Sequence, residues 1–199
     1  MDFIKFDEYQ AETRRTSPNE KDKLGALANF SMGLSGESGE VLELIHNFLF
    51  NNPILDKEKV AKELGDVMWY ISRIADILNI PLSVVASTSR IDVLQLLKAD
   101  AIFEIERDQL RNLNRLSMQL SIRSGVIVDH MKKVCFQGRE LDEDLVLGNL
   151  EEALFLTSQI AYVLEYKLSE VVNMNVTKLR KRYPNGFEVK RSENRIDEE

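Results

Sequence analysis

Residues 30–50 read FSMGLSGESGEVLELIHNFLF, and residues 116–136 read LSMQLSIRSGVIVDHMKKVCF. The match continues without a gap, at a constant offset of 86, as far as residues 85 and 171. Over the 56 aligned positions, 18 residues are identical. An ungapped match of this length indicates an internal duplication, in which one structural unit occurs twice. We call residues 30–85 the first copy and residues 116–171 the second copy.

The two copies differ most in their acidic residues. The first copy carries two pairs of acids at a spacing of three, and these are Glu37, Glu40, Glu63 and Asp66. The aligned residues of the second copy are Arg123, Val126, Asn149 and Glu152. Clustered acidic chemistry is therefore retained in only one half of the chain.

Composition and charge limit the classes of protein that this chain can represent. With 199 residues and 44% hydrophobic content, the chain can bury a core as one domain or as two intimately packed halves. Its net charge of −7 argues against a general nucleic-acid binder, which needs a concentrated basic surface. A phosphate-bearing ligand stays admissible if a divalent cation bridges it to the protein.

The chain shows no sign of export or of membrane insertion. Its single cysteine, Cys135, cannot form an intramolecular disulfide, and no charged segment followed by an apolar one opens the sequence. No apolar run reaches the roughly 20 residues that span a bilayer. We therefore expect a cytoplasmic protein with neither a membrane nor a nucleic acid as its partner.

The pattern of apolar residues and helix breakers predicts an all-α protein, because no stretch shows sustained period-two alternation. Asp56 and Asp142 occupy aligned positions where each predicts an N-cap. Breaks fall at Ser17-Pro18, Asn51-Asn52-Pro53, Ile80-Pro81 and Gln137-Gly138. The predicted helices cover residues 4–15, 24–50, 57–78, 82–97, 99–136, 143–165 and 168–182.

Each copy is predicted to form a helical hairpin, and two hairpins form a four-helix bundle with pseudo-dimeric symmetry. We expect residues 1–97 to form the first half, which carries the acidic motif. Residues 98–190 form the degenerate second half, packed with the first as one unit. The charged stretch from residue 191 to residue 199 is predicted to be a disordered tail.

The acidic pairs of the first copy predict a metal site. Each pair projects from one helix face and borders an apolar stripe, so four carboxylates directed into a bundle would repel one another. A hard divalent cation resolves this repulsion, and Mg²⁺ or Mn²⁺ fits better than zinc because the sequence has no Cys/His cluster. Gly39 and Gly65 accompany the pairs, and we expect them to permit close approach of a facing helix. An ordinary solvated acidic face is the alternative for any single pair.

Three ordered motifs resemble one known family. GLSGESGEVLELI (33–45) and KELGDVMWYI (62–71) resemble the ExxE…ExxD signature of the MazG-like, all-α nucleoside triphosphate pyrophosphohydrolase superfamily. NVTKLRKRYPNGF (175–187), here called the closing motif, is similar to the NxxKLxxRYPxGF segment that ends many members. FDEYQAETRRTSP (6–18) is similar to their opening helix. The resemblance implies cleavage of the α–β phosphate bond, which releases a nucleoside monophosphate and pyrophosphate.

The resemblance also implies roles for individual residues. The Mg²⁺ ligands would be Glu37, Glu40, Glu63 and Asp66, and Glu37 or Glu40 would orient or deprotonate the attacking water. The nucleotide contacts would come from the closing motif, at Asn175, Lys178, Arg182 and Tyr183. A basic cluster that complements the helix dipole is a substantial alternative for the KLRKR stretch, above all for Arg182.

The closing motif, like the acids, is present only once. Its four candidate contacts align at the same offset with Ser89, Asp92, Leu96 and Leu97. Each half has therefore lost what the other retains, and we predict one complete site assembled from complementary parts. A single ancestral domain whose middle was duplicated would give the same outcome.

Other interpretations stay open at this level. Trp69 and Tyr70 follow the second acidic pair, and they fit either a stack on a nucleobase or an ordinary core position. A non-catalytic nucleotide-binding or helical interaction module is one alternative function, and a phosphoribosyl-ATP pyrophosphohydrolase is another. The substrate base and sugar have no readable code in such a bundle. For the assembly, we expect a homodimer of the pseudo-dimeric chain.

Overall fold

A computed structural model describes residues 5–19, 22–51, 54–88 and 107–193. Every regular element within these residues is a helix, and the predicted all-α fold is confirmed. The helices, numbered in chain order, are α1 (Phe6–Arg15), α2 (Lys23–Phe50), α3 (Lys57–Ile77), α4 (Leu82–Thr88), α5 (Arg107–Gln137), α6 (Glu143–Val163), α7 (Leu168–Arg182) and α8 (Val189–Glu193).

The observed helix ends agree with the predicted ones to within a few residues. Residues 89–97 of the predicted helix 82–97 and residues 99–106 of the predicted helix 99–136 lie outside the described residues, as does the predicted domain boundary. The predicted disordered tail, residues 191–199, is wrong for residues 191–193, which belong to helix α8, and residues 194–199 lie outside the described residues. Among the described residues, no helix combines the length and apolar character needed to cross a bilayer.

The two hairpins begin their second helices in the same way. The Asp56 side chain accepts a hydrogen bond from the backbone N–H of Lys59 at 2.9 Å, and Asp142 accepts one from Leu145 at 2.9 Å. Each carboxylate satisfies an amide that has no partner inside its helix, which is the function of an N-cap. Both predicted caps are confirmed.

These helices also end alike, at positions separated by the same 86 residues. Asn79 (φ 58°) and Glu165 (φ 68°) adopt left-handed backbone conformations. The following amides, of Ile80 and Tyr166, each donate back to a carbonyl five residues earlier at 2.9 Å. This is the Schellman arrangement, which satisfies carbonyls at a helix C-terminus. Because the sequence pattern does not show this left-handed turn, α3 and α6 end one and two residues before their predicted ends.

Helices α2 and α5 form the centre of the bundle, and small buried residues line the seam between them. Ser31, Ser38, Ser117 and Ser124 are all buried, and their hydroxyl groups donate to carbonyls of their own helices. A serine whose hydroxyl is satisfied within its own helix leaves no unpaired polar group at a helix–helix contact. Across the seam, the Ser121 hydroxyl donates to the carbonyl of Ser38 at 3.1 Å.

The last helix of each copy packs on the other copy. Helix α7 packs against α3, and α4 packs against α6. Helix α1 also contacts α3, and the Arg15 guanidinium donates to the carbonyl of Tyr183 at 2.7 Å, which ties the opening helix to the closing motif. The acidic hairpin α2–α3 is therefore completed by segments from both ends of the chain.

Candidate active site

A cleft of about 1000 Å³ opens where α2, α3 and α7 meet. It is lined by the acids of the first copy, by basic residues of α3 and α7, and by aromatic side chains. Among the lining residues are Glu37, Glu40, Glu63, Asp66, Lys59, Lys62, Lys178, Arg182, Phe30, Trp69, Tyr70, Tyr183 and Phe187. The cleft thus has an acidic floor with cations and flat apolar surfaces around it.

Three of the four predicted metal ligands converge. Glu37, Glu63 and Asp66 each offer a carboxylate oxygen, and these oxygens lie within 4.8 Å of one another. Within the described ranges, no other group of three metal-ligating side chains comes this close. Glu40 lines the same cleft but lies outside this trio, on the exposed side of α2. The structure thus separates Glu40 from the other three acids.

The convergence raises the pKa values of the two glutamates of the trio. Burial, followed by the negative charges of Asp66 and Glu40, raises the pKa of Glu37 to about 8. Burial and the charge of Asp66 also raise the pKa of Glu63. A half-buried carboxyl beside like charges favours its neutral form. The site therefore carries excess negative charge whenever all three groups are ionised.

Asp66 is held by two residues of the closing motif. It accepts a hydrogen bond from the Asn175 side-chain amide at 2.8 Å and forms an ion pair with Lys178. Asn175 is only 2% exposed, and its own carbonyl oxygen accepts the Tyr9 hydroxyl at 2.9 Å. A chain of hydrogen bonds thus runs from Tyr9 on α1 through Asn175 on α7 to Asp66 on α3.

This arrangement gives Asn175 a different place from the predicted one. Its amide nitrogen and its carbonyl oxygen both bond protein groups, and it lies behind Asp66, so its contact with a nucleotide stays a prediction without support from the geometry. Its observed contacts orient a carboxylate of the trio. The sequence signal for this role was the occurrence of the opening segment and the closing motif in the same chain as the acidic motif, since these two segments supply the chain of hydrogen bonds that ends at Asp66.

A glycine makes this contact between helices possible. A Cβ at Gly65 would lie 3.0 Å from the Asn175 Cβ and 3.4 Å from the carbonyl oxygen of Val171. The predicted close approach at Gly65 is therefore present, and the approaching helix is α7. The same expectation for Gly39 is wrong, because a Cβ there would meet no atom of the described residues within 4 Å.

The other closing-motif residues differ in their access to the cleft. The Lys178 side chain is 23% exposed and lies beside the acids, so it is available to a ligand as well as to Asp66. Arg182, one turn later, is half-buried and also lines the cleft. Tyr183 is only 4% exposed, and its ring packs 5.4 Å from that of Phe187. Tyr183 contributes mainly a supporting surface.

Three rings form what we call the aromatic wall of the cleft: Phe30, Trp69 and Tyr70. Trp69 and Tyr70 meet at 87° with ring centroids 4.9 Å apart, and both are half-buried. The Trp69 indole N–H donates to the Thr16 hydroxyl at 3.1 Å, which fixes its edge. Two partly exposed rings at a right angle offer a corner to a flat apolar ligand.

The aromatic wall depends on a glycine that sequence reasoning missed. A Cβ at Gly33 would lie 2.2 Å from the Tyr70 ring, so the ring lies directly over the α2 backbone. In the second copy, the residues aligned with Gly33 and Tyr70 are Gln119 and Leu156. The sequence signal for this contact was that the glycine and the tyrosine are both replaced in the second copy. Lys59 and Lys62, which also line the cleft, were missed because basic residues on an exposed helix face are common.

Within the described part of the chain, the second copy has no equivalent group of converging acids. Asn149, aligned with Glu63, donates its amide to the carbonyl of Leu145 on its own helix at 2.8 Å. Val126, aligned with Glu40, is 38% exposed. The residues that align with the closing-motif contacts, Ser89, Asp92, Leu96 and Leu97, lie outside the described residues.

The residues of the trio fit a divalent cation. Carboxylate oxygens are the ligands that Mg²⁺ and Mn²⁺ prefer, and the raised pKa values of Glu37 and Glu63 report negative charge that a cation would neutralise. No cysteine or histidine belongs to the trio, which disfavours zinc. Lys178 supplies one positive charge at the same place.

Comparison with known proteins supports this interpretation of the cleft. Residues 28–89 match the MazG nucleotide pyrophosphohydrolase domain. This range contains the four predicted metal ligands and the whole aromatic wall. The predicted resemblance to the MazG-like superfamily is thus confirmed for this part of the chain.

One similar protein is the Gene 37 protein of Mycobacterium phage L5, which is 34% identical over 68 residues. The aligned region is 32% of this chain and 60% of the phage protein. No solved structure matches the chain.

Proposed function

We propose that this chain, which carries a match to the MazG nucleotide pyrophosphohydrolase domain, is a Mg²⁺-dependent nucleoside triphosphate pyrophosphohydrolase. It would convert a ribo- or deoxynucleoside triphosphate to the monophosphate and pyrophosphate, in nucleotide-pool housecleaning in the cytoplasm. The observation that carries the proposal is the convergence of Glu37, Glu63 and Asp66 in the cleft. Mn²⁺ is an admissible substitute for Mg²⁺.

The trio would hold the cation, which supplies charge neutralisation for the triphosphate and for the attacking water. Asp66 is already oriented for this role by Asn175, so little rearrangement of that ligand is required. Preorganised ligands of this kind reduce the reorganisation needed at the moment of reaction.

Glu40 is the better candidate for orienting the attacking water. It is exposed and outside the trio, whereas Glu37 lies within it. At neutral pH the raised pKa of Glu37 keeps its carboxyl protonated until a cation neutralises its neighbours. Once the cation is bound, the Glu37 oxygens would be engaged as ligands, whereas Glu40 lies outside the trio and would be left to orient the attacking water, so the two glutamates would have separate roles.

The cations and the aromatic wall would bind the remaining parts of the nucleotide. Lys178 and Arg182 are one turn apart on α7 and line the cleft with the acids, so they are placed to contact phosphate oxygens as a point charge and a planar fork. Trp69 and Tyr70 would form the surface for the base. The cleft is large enough for a nucleotide, since ligand sites typically measure about 300–1000 Å³.

We also propose that the two copies arose by duplication and that one complete site was kept. The equivalent helix caps and the exchange of α4 and α7 between the copies support this history. For the assembly we propose a homodimer. Exposed apolar side chains on one stripe of α5, at Met118, Ile122 and Val126, support it.

The test is pyrophosphate release from a panel of nucleoside triphosphates, with and without Mg²⁺. Wild-type protein should release pyrophosphate only with the cation, and Glu40→Gln should reduce the rate by about a hundredfold or more. A folded wild-type protein that is inert across the panel would contradict the proposal and favour a non-catalytic binding module. Activity confined to phosphoribosyl-ATP would assign the chain to the related pathway enzyme.

A further inference from the structure

Arg73 is a buried arginine that lies behind the aromatic wall and does not line the cleft. It is 6% exposed and borders a separate cavity of about 490 Å³, together with Arg14 and Asp76. Its Nη1 donates to the Asp76 carboxylate at 2.6 Å. Arg14, on α1, forms a second ion pair with the same carboxylate. The function proposed above assigns no role to Arg73.

The guanidinium of Arg73 contacts the aromatic wall directly. Its central carbon lies 5.5 Å from the centre of the Phe30 ring, which is within the range of a cation–π interaction. Phe30 contacts both other rings, with its centroid 5.7 Å from Trp69 and 6.3 Å from Tyr70. Arg73 thus contacts Phe30, the ring of the aromatic wall that lies against both rings of the corner, Trp69 and Tyr70.

The burial of Arg73 is unfavourable if packing alone is considered. Its Nε is buried, and within the part of the chain that the structure describes it has no hydrogen-bond partner. An unpaired buried donor costs free energy that an aliphatic side chain of similar size would not. A role beyond filling space is needed to account for an arginine here.

The second copy shows that the fold does not require this arrangement. Gln159 aligns with Arg73, and Tyr162 aligns with Asp76. The residues aligned with the aromatic wall are Leu116, Phe155 and Leu156. Helix α6 nevertheless has the same length as α3 and the same caps. The arginine and the complete wall therefore occur together, in the copy that retains the acids.

We propose that Arg73 is a positioning residue, which fixes Phe30 and thereby the corner of Trp69 and Tyr70 that recognises the nucleobase. This inference rests on the proposed function, because it assumes that the cleft binds a nucleotide. On this proposal, recognition of the base by the corner depends on a cation that lies on the far side of the aromatic wall from the cleft. The acids and Lys178 bind the triphosphate independently of it.

The test compares Arg73→Gln, which introduces the residue of the second copy, with wild-type protein. The KM for the preferred nucleoside triphosphate should rise about tenfold, within the range expected for a desolvated cation–π contact. The kcat should stay within about twofold, because the lost interaction binds substrate and transition state alike. The inhibition constant of inorganic tripolyphosphate, which has no base, should not change.

Two further variants separate positioning from general damage. Arg14→Gln removes the other ion pair of Asp76 but leaves the guanidinium over Phe30, so its KM should match that of wild-type protein. Arg73→Lys keeps a cation without the planar group, so its KM should fall between those of wild type and Arg73→Gln. Thermal melting verifies that all variants are folded.

Trp69 is the only tryptophan in the chain, so its fluorescence reports on the wall without any catalysis. Titration with deoxynucleoside monophosphates should quench its emission, and Arg73→Gln should weaken the apparent affinity by the same factor as the KM. If wild-type protein binds monophosphates but hydrolyses nothing, the proposed function fails while the role of Arg73 is still tested.

The inference is overturned if KM and the tripolyphosphate constant change in proportion, or if Arg14→Gln reproduces the effect. It is also overturned if Arg73→Gln leaves both the KM and the Trp69 quenching unchanged, or if wild-type protein neither hydrolyses nor binds nucleotides.

Discussion

The hairpin α2–α3 and the hairpin α5–α6 share their helix caps and the length of their second helix, and they differ in chemistry. They share N-caps at Asp56 and Asp142 and the same left-handed turn at the end of the second helix. Among the residues that the structure describes, only the first hairpin brings three carboxylates within 4.8 Å of one another. A hairpin with the same caps and the same length of second helix therefore forms without the acids, the aromatic wall or Arg73.

The acids of the first hairpin carry costs that the second hairpin avoids. Carboxylates that repel one another and a buried arginine with an unpaired Nε are unfavourable for stability. Features of this kind are typical of binding and catalytic sites. The second hairpin places uncharged Val126 and Asn149 at two of the aligned positions.

The largest expected difference between the hairpins is in catalysis. Asp66→Asn should lower kcat/KM by about a hundredfold or more, because it removes a carboxylate of the trio and its ion pair with Lys178. Glu152→Gln changes the aligned acid of the second copy and should leave kcat/KM within about twofold. Steady-state pyrophosphate release measures both. Equal losses in the two variants would show that the second hairpin shares in the reaction.

A smaller effect is expected at the wall. Gly33→Ala places a methyl group where the Tyr70 ring lies, so the ring must move, and the KM for the nucleotide should rise severalfold with the fold retained. Gly36→Ala, one turn later on the same helix, meets nothing within 4 Å and should be neutral in KM and slightly stabilising. If Gly33→Ala leaves KM unchanged, the position of Tyr70 is not important for binding.

The last expected difference between the hairpins is in stability and depends on pH. The folded protein raises the pKa of Glu37 from 4.5 to about 8, so this group favours folding when it is protonated. Its contribution is fully present below pH 4.5 and is lost as the pH rises towards 8. In the presence of a metal chelator, the free energy of unfolding of Glu37→Gln should therefore exceed that of the wild type at pH 8. The difference between the two proteins should vanish towards pH 4.5.

Urea unfolding at several pH values measures this difference, and saturating Mg²⁺ should reduce or reverse it at pH 8 because the cation binds the ionised carboxylate. A difference between the two proteins that does not depend on pH would contradict the charge repulsion that we infer within the trio.

Much of the local structure was predictable from the sequence. The repeat at an offset of 86 is visible as identical residues. The hairpin helices follow from apolar periodicity. The caps at Asp56 and Asp142 follow from side chains that bond amides three residues away. The three acids that converge were also among the four predicted ligands. Glu40 was grouped with them because a spacing of three places two side chains on one face without fixing which of them points inward.

The long-range contacts were not predictable in this way. Asn175 lies 109 residues after Asp66, and its amide reaches that carboxylate only because α7 crosses to α3 at Gly65. The position of Tyr70 over Gly33, and of Arg73 beneath Phe30, likewise depends on which helix faces meet. Periodicity determines which face of a helix is buried, and the packing of that face against a particular partner determines what its side chains contact. The sequence alone therefore specified the helices and the acids, whereas their support and the shape of the cleft came from tertiary packing.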